Sequence, residues 1–466
     1  MGLHARREVG ADLDSTIHVG QDMSKVVPRF RFPDEIVDPA DALKVIDDEL
    51  LLDGNARQNL ATFCQTFEED NVTALMISGQ NKNLIDKDEY PHPAEFERRC
   101  VHMLADLWGA PDATNTVGTS AIGSSEACML AGMAAKWRWR ARREAEGKPT
   151  DRPNLVCGPV QVVWHKFARY WDVELREVPM SPGRYAMDVE EMLARVDDNT
   201  ILVVPTLGIT YTGAYEDVAT LASGLDDLEQ RTGLDIDLHV DAASGGFVAP
   251  FCAPDLIWDF RIERVRSISA SGHKFGLAPL GVGWVVWRDV AHLPEDLIFH
   301  VDYLGGDMPV FQINFSRPSG QILAQYYNFI RLGRSGFADL HTDAYDTGRF
   351  LADGIEALGL FELIYRPDPM RGIPAVTWRI PEDGDLGFTL YDLADRLRSS
   401  GWLVPAYPLT GELAKSTVQR VLVRRDLSRD LAAALLTDLS AAIAHLEAHP
   451  QSVHMTHEES GSFSHL

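Results

Sequence analysis

The chain has 466 residues, and its 43 Lys and Arg against 69 Asp and Glu give a formal charge of −26. Such a charge repels polyanions, so we expect no nucleic-acid partner. With 45% apolar and 24% charged residues, the composition is that of a globular protein and excludes disorder as the main state. The length suits two or three domains.

The start of the chain and its cysteines predict a cytoplasmic protein. Arg6, Arg7 and Glu8 are followed by no apolar run, so we expect no secretory signal. Uncharged stretches such as 199–215 are interrupted by Thr, Gly and Pro, so we expect no integral membrane segment. The five cysteines are odd in number and include no C-x-x-C pair, which argues against disulfides and structural zinc. We therefore predict a reducing compartment and no metal site.

The first two predicted units are an arm and a large domain. Residues 1–57 contain one short helical pattern, Asp41–Leu51, and are predicted to form an arm that docks on a larger body. Residues 58–345 form the predicted large domain, in which apolar strands alternate with amphipathic helices. The strands are predicted at 154–156, 201–204, 236–240, 265–269 and 283–286, and the helices at 93–108, 124–143, 188–196 and 218–231. This alternation predicts an α/β fold with a parallel sheet between two layers of helices.

A smaller C-terminal α+β domain is predicted at residues 346–450. A long helical stretch at 319–358 leads into it, and its elements are shorter. The strands are predicted at 361–365, 375–380 and 418–423, and the helices at 390–399 and 429–448. Residues 451–466 carry three His and no Lys or Arg, and we expect a mobile tail.

The segment Val265–Gly276, VRSISASGHKFG, is the first candidate for chemistry. A strand ends there in Ser271, His273 and Lys274, and catalytic groups of open α/β sheets gather at such strand ends. A lysine amine with a lowered pKa can form a Schiff base with a carbonyl. The alternative is a surface lysine in a polar turn.

The strand 236–240 ends in Asp241, which can reach the same crevice as Lys274. In an enzyme that uses pyridoxal phosphate (PLP), a lysine holds the cofactor and a carboxylate keeps the pyridine nitrogen protonated. Asp241 suits that role. The alternative is an Asp that caps a helix or a turn.

A phosphate needs backbone N–H donors and hydroxyls, which the start of a helix provides. The stretch Gly118–Glu126, GTSAIGSSE, enters a helix through Ser124 and Ser125 and is the candidate phosphate site, although Ser at such a position is most often only a cap. Neither a P-loop nor a G-x-G-x-x-G turn occurs, which disfavours a nucleotide site.

A third strand-to-helix junction, Gly158–Tyr170, places Gln161 and His165 where either could cover one face of a flat ring, and periodicity does not decide between that role and a structural one.

Taken together, these segments resemble the glutamate decarboxylases of bacteria and plants. The motifs are NLATFCQT, GSSEACMLAGMAAKWRWR, GPVQVVWHKFARYWDVELREVPM, HVDAASGGF and SGHKFGLAPLGVGW, in this order within residues 54–448. The resemblance implies a fold type I PLP enzyme with a mostly parallel seven-stranded sheet. It also implies decarboxylation of L-glutamate to 4-aminobutyrate (GABA) and CO2.

The resemblance also implies roles for individual residues. Lys274 would bind the cofactor covalently, and Asp241 would pair with the ring nitrogen. Ser124, Ser125 and His273 would hold the phosphate. The further cofactor positions are Gln161, stacked on the ring, Thr212, Ala243, Ser271 and Ser316, the last reaching the site of a neighbouring subunit.

The substrate positions implied by the resemblance are Thr62, Phe63 and Asp86 for the far carboxylate of glutamate, and Arg420 near its α end, although Arg424 could be confused with it. An Asp beside a carboxylate raises one of the two pKa values, so the pair shares a proton and binding should improve in acid. The alternative for Thr62 and Asp86 is a surface position and a turn.

The resemblance further implies a homo-oligomer of at least two chains, and it allows a hexamer built through the N-terminal arms. His465 matches a tail histidine that closes the site near neutrality in bacterial members, and the alternative is a tail without function. The basic, Trp-containing calmodulin-binding tail of plant members is absent after Pro450, so calmodulin is not expected. A role in acid resistance is possible because decarboxylation consumes a proton.

Three rival functions remain open from the sequence. A PLP decarboxylase of an aromatic amino acid or of aspartate would keep Lys274 and Asp241 but use another substrate. A catalytically silent PLP-fold scaffold would need damage to the lysine, the aspartate or the phosphate site, and none is damaged. A phosphate-binding protein without PLP would lack the yellow colour of the bound cofactor.

Overall fold

The computed structural model describes residues 30–302, 307–450 and 453–460. Its helices are α1 (Pro39–Leu50), α2 (Asp70–Gly79), α3 (Pro91–Leu107), α4 (Ser124–Ala145), α5 (Val162–Tyr170), α6 (Val189–Leu193), α7 (Val218–Thr232), α8 (Ala249–Cys252), α9 (Gly320–Ala357), α10 (Leu390–Arg398), α11 (Arg429–Ala448) and α12 (His457–Ser460). Its strands are β1 (Val117–Ala121), β2 (Asn154–Cys157), β3 (Glu174–Glu177), β4 (Thr200–Val204), β5 (Leu238–Asp241), β6 (Val265–Ala270), β7 (Gly283–Trp287), β8 (Phe299–Val301), β9 (Met308–Val310), β10 (Glu362–Tyr365), β11 (Ala375–Arg379), β12 (Ala406–Pro408) and β13 (Thr417–Leu422).

The large sheet has seven strands in the order β1-β7-β6-β5-β4-β2-β3. Only β7 runs against its neighbours, and the remaining pairs are parallel. Alternate residues of one strand enter different cores: Val203 of β4 packs with α3 and α7, whereas Leu202 and Val204 pack with α4 and α5. Helices therefore cover both faces, and the predicted mostly parallel seven-stranded sheet is confirmed.

Two strands of this sheet carry weak sequence signals. The edge strand β3 has the charged sequence ELRE and pairs with β2, and its one apolar side chain, Leu175, packs on the core of α4 and α5. The strand β1, VGTSA, consists mostly of small residues and gives no alternating apolar pattern. In contrast, β5 begins at Leu238 and extends to Asp241, so the candidate carboxylate belongs to the strand itself.

The second sheet is antiparallel, in the order β10-β11-β13-β12, and packs with α9, α10 and α11 around its own apolar core. The helix α9 passes from the first core to the second. It is not uniform as predicted, because Gly333 has φ 58° and ψ −170° within it, a conformation that favours glycine. The domain boundary at 345/346 falls inside α9 and stays a prediction.

One helix of the described residues, α11, has the length and the mean hydropathy, 1.4, of a membrane span. A core helix can have the same composition, and α11 buries Leu435, Leu439 and Ile443 against α9 and α10. At the other end of the chain, α1 buries no residue and exposes Leu43 and Ile46.

Candidate active site

A cavity of about 670 Å³ opens at the carboxyl ends of the central strands. It is bounded by the residues that follow β4, β5 and β6, by the starts of α4 and α5, and by a segment before α2. Nine of the predicted site residues line it: Thr62, Phe63, Ser124, Ser125, Gln161, Asp241, Ala243, His273 and Lys274. These nine residues come from five separate parts of the sequence, and the strand-end rule accounts for Asp241, Ala243, His273 and Lys274 among them.

Lys274 lies four residues after the end of β6, with its amine directed into the cavity wall. Its Nζ lies 3.4 Å from Ser244 Oγ and 4.7 Å from the centroid of the Phe63 ring. Burial lowers the pKa of Lys274, and the charge of Asp241 opposes that shift. A larger fraction of the amine is therefore neutral, as a nucleophile requires.

Asp241 is the last residue of β5 and is buried, with 3% of its surface exposed. Trp164 Nε1 donates to its Oδ2 at 2.9 Å, and the backbone N–H of Ala243 donates to its Oδ1 at 3.2 Å. These two donors fix the carboxylate in the cavity wall, where a cationic ring nitrogen would complete its interactions.

The start of α4 has free backbone N–H groups, because its N-cap residue is Gly123 and no side chain caps it. Gly283 of β7 lies directly beneath: a Cβ there would be 2.3 Å from the carbonyl carbon of Gly123 and 2.5 Å from the nitrogen of Ser124. Only glycine at position 283 leaves room for the start of α4 to lie this close to the sheet. The hydroxyls of Ser124 and Ser125 add to the backbone N–H groups that can donate hydrogen bonds to an anion.

His273 completes the donor set. Its Nδ1 accepts from the backbone N–H groups of Gly281 at 3.4 Å and Val282 at 3.3 Å, and its Nε2 lies 3.1 Å from Ser271 Oγ. Burial, together with the charge of Lys274, lowers the pKa of His273 to about 4. The ring is therefore neutral near pH 7, with its single proton on Nε2.

Gln161 and His165 differ in their position relative to the cavity. Gln161 is the N-cap of α5, its side chain accepts from Val163 N at 2.7 Å, and it lines the cavity. His165 is exposed and lies 3.5 Å from Glu177. The geometry thus favours Gln161 for the face of a flat ring.

Five predicted residues do not line this cavity in the single chain. Ser271 is buried beneath His273, Asp86 is half-buried, and Ser316 is exposed with its Oγ 3.3 Å from Asn83 Nδ2. Thr212 lines a second cavity of about 590 Å³. Their cofactor and substrate roles stay predictions, and His465 lies outside the described residues.

Arg420, the fifth, lies directly behind the cavity wall. Its guanidinium donates to the carbonyls of Ala61, at 3.1 Å, and Thr210, and lies 4.5 Å from the Phe63 ring centroid. The carbonyls of Asn59 and Thr62 accept from Arg424 instead, which does not line the cavity. The two arginines therefore have distinct positions.

Several lining residues are not among those that the sequence predicts. Thr206, Gly208 and Thr210 follow β4, so the strand-end rule that indicates Lys274 and Asp241 also applies to them. The motif GTSAIGSSE ends in Glu126 and indicates no role for its carboxylate. Its carboxylate accepts from the backbone N–H groups of Ile122 at 2.9 Å, Ile313 at 3.0 Å and Asn314 at 3.1 Å.

These residues fit PLP. A lysine of lowered pKa, a buried carboxylate and an uncapped helix start with two serines supply the groups that its aldehyde, ring nitrogen and phosphate need. The described ranges contain no group of three or more His, Cys, Asp or Glu that could hold a metal ion.

Comparisons with known proteins agree with this geometry. The family described as "Pyridoxal-dependent decarboxylase conserved domain" matches residues 33–381. The chain is 56% identical to a glutamate decarboxylase of Aliivibrio fischeri over the full length of both, and 47% identical to glutamate decarboxylase beta of Listeria monocytogenes over 90% of each. A glutamate decarboxylase structure from Lactobacillus brevis superposes with a TM-score of 0.88 at 44% identity, covering 94% of this chain and 98% of that one. The predicted fold class is thereby confirmed.

Proposed function

The chain belongs to the family of pyridoxal-dependent decarboxylases, and from that membership we propose that it removes the α-carboxylate of L-glutamate to give GABA and CO2. The observation that carries this proposal is the convergence of Lys274, Asp241 and the start of α4 on one cavity. When bound, PLP supplies a conjugated ring that accepts the electron pair of the breaking carbon–carbon bond.

The residues of this chain prepare and complete that chemistry. Lys274 would hold the cofactor, Asp241 would keep the ring nitrogen protonated, and Ser124, Ser125 and His273 would bind the phosphate. Gln161 would stack on the ring, and Ala243 would contact the cofactor. A proton from Lys274 Nζ to the α carbon completes GABA, so each turnover consumes one proton.

The substrate is oriented at both ends in this proposal. Thr62, Phe63 and Asp86 recognise the far carboxylate of glutamate, and Arg420 lies near the α end. Ser316 contacts the cofactor of a neighbouring subunit, which fits its exposed position. A site shared in this way requires at least a dimer. The enzyme acts in the cytoplasm. A hexamer through the N-terminal arms belongs to the same proposal.

The test is to add L-glutamate to purified holoenzyme across a pH series and measure GABA and CO2. L-aspartate and L-tyrosine serve as competing substrates. GABA from glutamate alone supports the proposal. Turnover of aspartate or tyrosine without glutamate turnover would establish the rival decarboxylase.

A role in acid resistance and gating by the tail extend the proposal. The described part of the tail contacts α10, where Asp392 accepts from Met455 N at 2.8 Å and lies 2.9 Å from His454 Nδ1. A truncation after Ser460 keeps this contact and removes His465. If His465 gates the site, this truncation and His465→Ala both extend activity to higher pH, whereas unchanged pH profiles would exclude gating.

A further inference from the structure

Thr62 and Phe63 lie in a segment without regular secondary structure, residues 59–66, which we call the edge segment. Backbone bonds join it to two sides of the cavity. Leu60 donates to the carbonyl of Leu403 at 3.0 Å in the small domain, and Gln65 donates to the carbonyl of His273 at 2.9 Å, next to Lys274. These two hydrogen bonds fix the ends of the edge segment. Other contacts must fix Thr62, which lies between them.

Arg424 supplies such a contact. A single nitrogen, Nη1, donates to the carbonyls of both Asn59 and Thr62, each at 3.0 Å. The side chain of Thr62 then accepts from Cys64 N at 3.2 Å, which turns the chain toward the cavity. One guanidinium therefore fixes the backbone on which the hydroxyl of Thr62 is carried.

Asp426 completes the arrangement from the same loop of the small domain. Its Oδ1 lies 3.4 Å from Arg424 Nε, and the two side chains expose only 1% and 2% of their surfaces. Its Oδ2 accepts from the hydroxyl of Thr66, and its carbonyl accepts from Arg57 Nη2 at 3.2 Å. A buried ion pair thus binds the edge segment on both sides of Thr62 and Phe63, and removing one partner would leave the other charge uncompensated.

The hydrogen bonds of Arg424 are to backbone carbonyls, its side-chain partner is Asp426, and it does not line the cavity. Arg420 also donates to a carbonyl of the edge segment, that of Ala61, but its guanidinium packs on the Phe63 ring at the cavity wall. Any effect of Arg424 on the substrate must therefore pass through the edge segment.

We propose that Arg424, held by Asp426, is a positioning residue that sets the place of Thr62 and thereby the affinity of the enzyme for the far carboxylate of its substrate. This inference rests on the proposed glutamate decarboxylation. Lysine at position 424 keeps the charge but has one nitrogen in place of Nη1 and Nε, so its ammonium cannot bond both carbonyls and pair with Asp426 from the two positions that the guanidinium uses.

The experiment compares Arg424→Lys holoenzyme with Arg379→Lys, a control in β11 whose side chain pairs with Glu362 and Glu382 at the surface. We expect Arg424→Lys to raise KM for L-glutamate about tenfold or more, while kcat and the affinity for PLP change less than about threefold. The control should match the wild type in all three quantities. An unchanged KM, or a parallel loss of kcat and PLP affinity, would overturn the inference.

A double-mutant cycle tests the route through Thr62. If Arg424 acts through this residue, adding Arg424→Lys to Thr62→Val raises KM less than it does in the wild type. Equal effects in both backgrounds would overturn the inference.

Thr66→Val, which removes only the hydroxyl that donates to Asp426, serves as a second variant if Arg424→Lys does not fold, and it too should raise KM while sparing PLP affinity. Failure of the wild type to form GABA would instead refute the proposed function.

Discussion

The amine of Lys274 lies over the ring of Phe63, with 4.7 Å between Nζ and the ring centroid. The guanidinium of Arg420 also lies over this ring, 4.5 Å from the centroid. An aromatic ring attracts a cation and excludes water, so Phe63 stabilises the protonated amine while it keeps the site apolar. A residue assigned to the substrate thus also forms part of the surroundings of the lysine.

Replacement of Lys274 is the most direct test of its role. We expect Lys274→Ala to lower kcat about 10²- to 10⁴-fold or more, because both the attachment of PLP and the proton donor are lost. The visible absorbance of the attached cofactor should disappear as well. Lys166→Ala, on the exposed face of α5, is the control and should keep both properties. Normal turnover by Lys274→Ala would contradict the proposed chemistry.

The hydrogen bond from Trp164 to Asp241 gives a second prediction. Trp164→Phe removes a donor to a buried carboxylate, which contributes about 1.5–3 kcal/mol. We expect PLP affinity to fall about tenfold or more, measured by titration of the apoenzyme with PLP. The control is Trp139→Phe, which removes a donor to the carbonyl of Asp198 in the same apolar core. Equal effects of the two substitutions would show that packing, and not the carboxylate, is responsible.

Gly283 gives a prediction for the phosphate site. The Cβ of Gly283→Ala would meet backbone atoms of Gly123 and Ser124, which cannot give way as a flexible side chain could. We expect a loss of about 1–3 kcal/mol in stability and weaker PLP binding, since the start of α4 must move. Gly54→Ala, at a position with open space around it, should leave thermal unfolding and PLP titration unchanged. Weak binding by both variants would contradict this explanation.

Buried histidines make the folded protein less stable in acid. Burial lowers the pKa of His341 from 6.5 to about 4, so the unfolded chain binds a proton between these values that the folded chain does not. Stability therefore falls as the pH falls through this window, by up to about 3 kcal/mol for one such residue.

His341→Leu should reduce this pH dependence. Urea unfolding between pH 7 and 4.5 should show a smaller loss of stability for the variant than for the wild type. His300→Gln is a control of opposite sign, because Asp307 raises the pKa of the exposed His300 and its contribution is present at low pH. A slope unchanged by His341→Leu would contradict the prediction.

The sequence predicts best what depends on local pattern. The sequence indicates Lys274 and Asp241 because each lies at or just after the end of an apolar strand, and the carboxyl ends of parallel strands meet at one edge of the sheet. The hydrogen bond from Trp164 to Asp241 has no such pattern, because it depends on how α5 lies across β5. The charged edge strand β3 has one apolar residue, Leu175, which is too few for an alternating pattern, and the break at Gly333 is one residue within an otherwise regular helical pattern.

Residues assigned by resemblance alone form a different group. Thr212 faces the second cavity, while its neighbour Thr210, two residues earlier in PTLGITYTG, lines the first. The strand-end rule favours Thr206 and Thr210, which lie nearer to the end of β4. Ser316 and Asp86 lie outside the cavity of the single chain, and their assignment rests on the resemblance alone.

The carboxylate of Glu126 joins the first turn of α4 to the backbone of Ile313 and Asn314, two residues before Ser316. The start of α4, the proposed phosphate site, and the exposed loop that carries Ser316 are consequently held together by one side chain. A movement of this loop at the surface would therefore shift the carboxylate of Glu126 and, with it, the first turn of the helix.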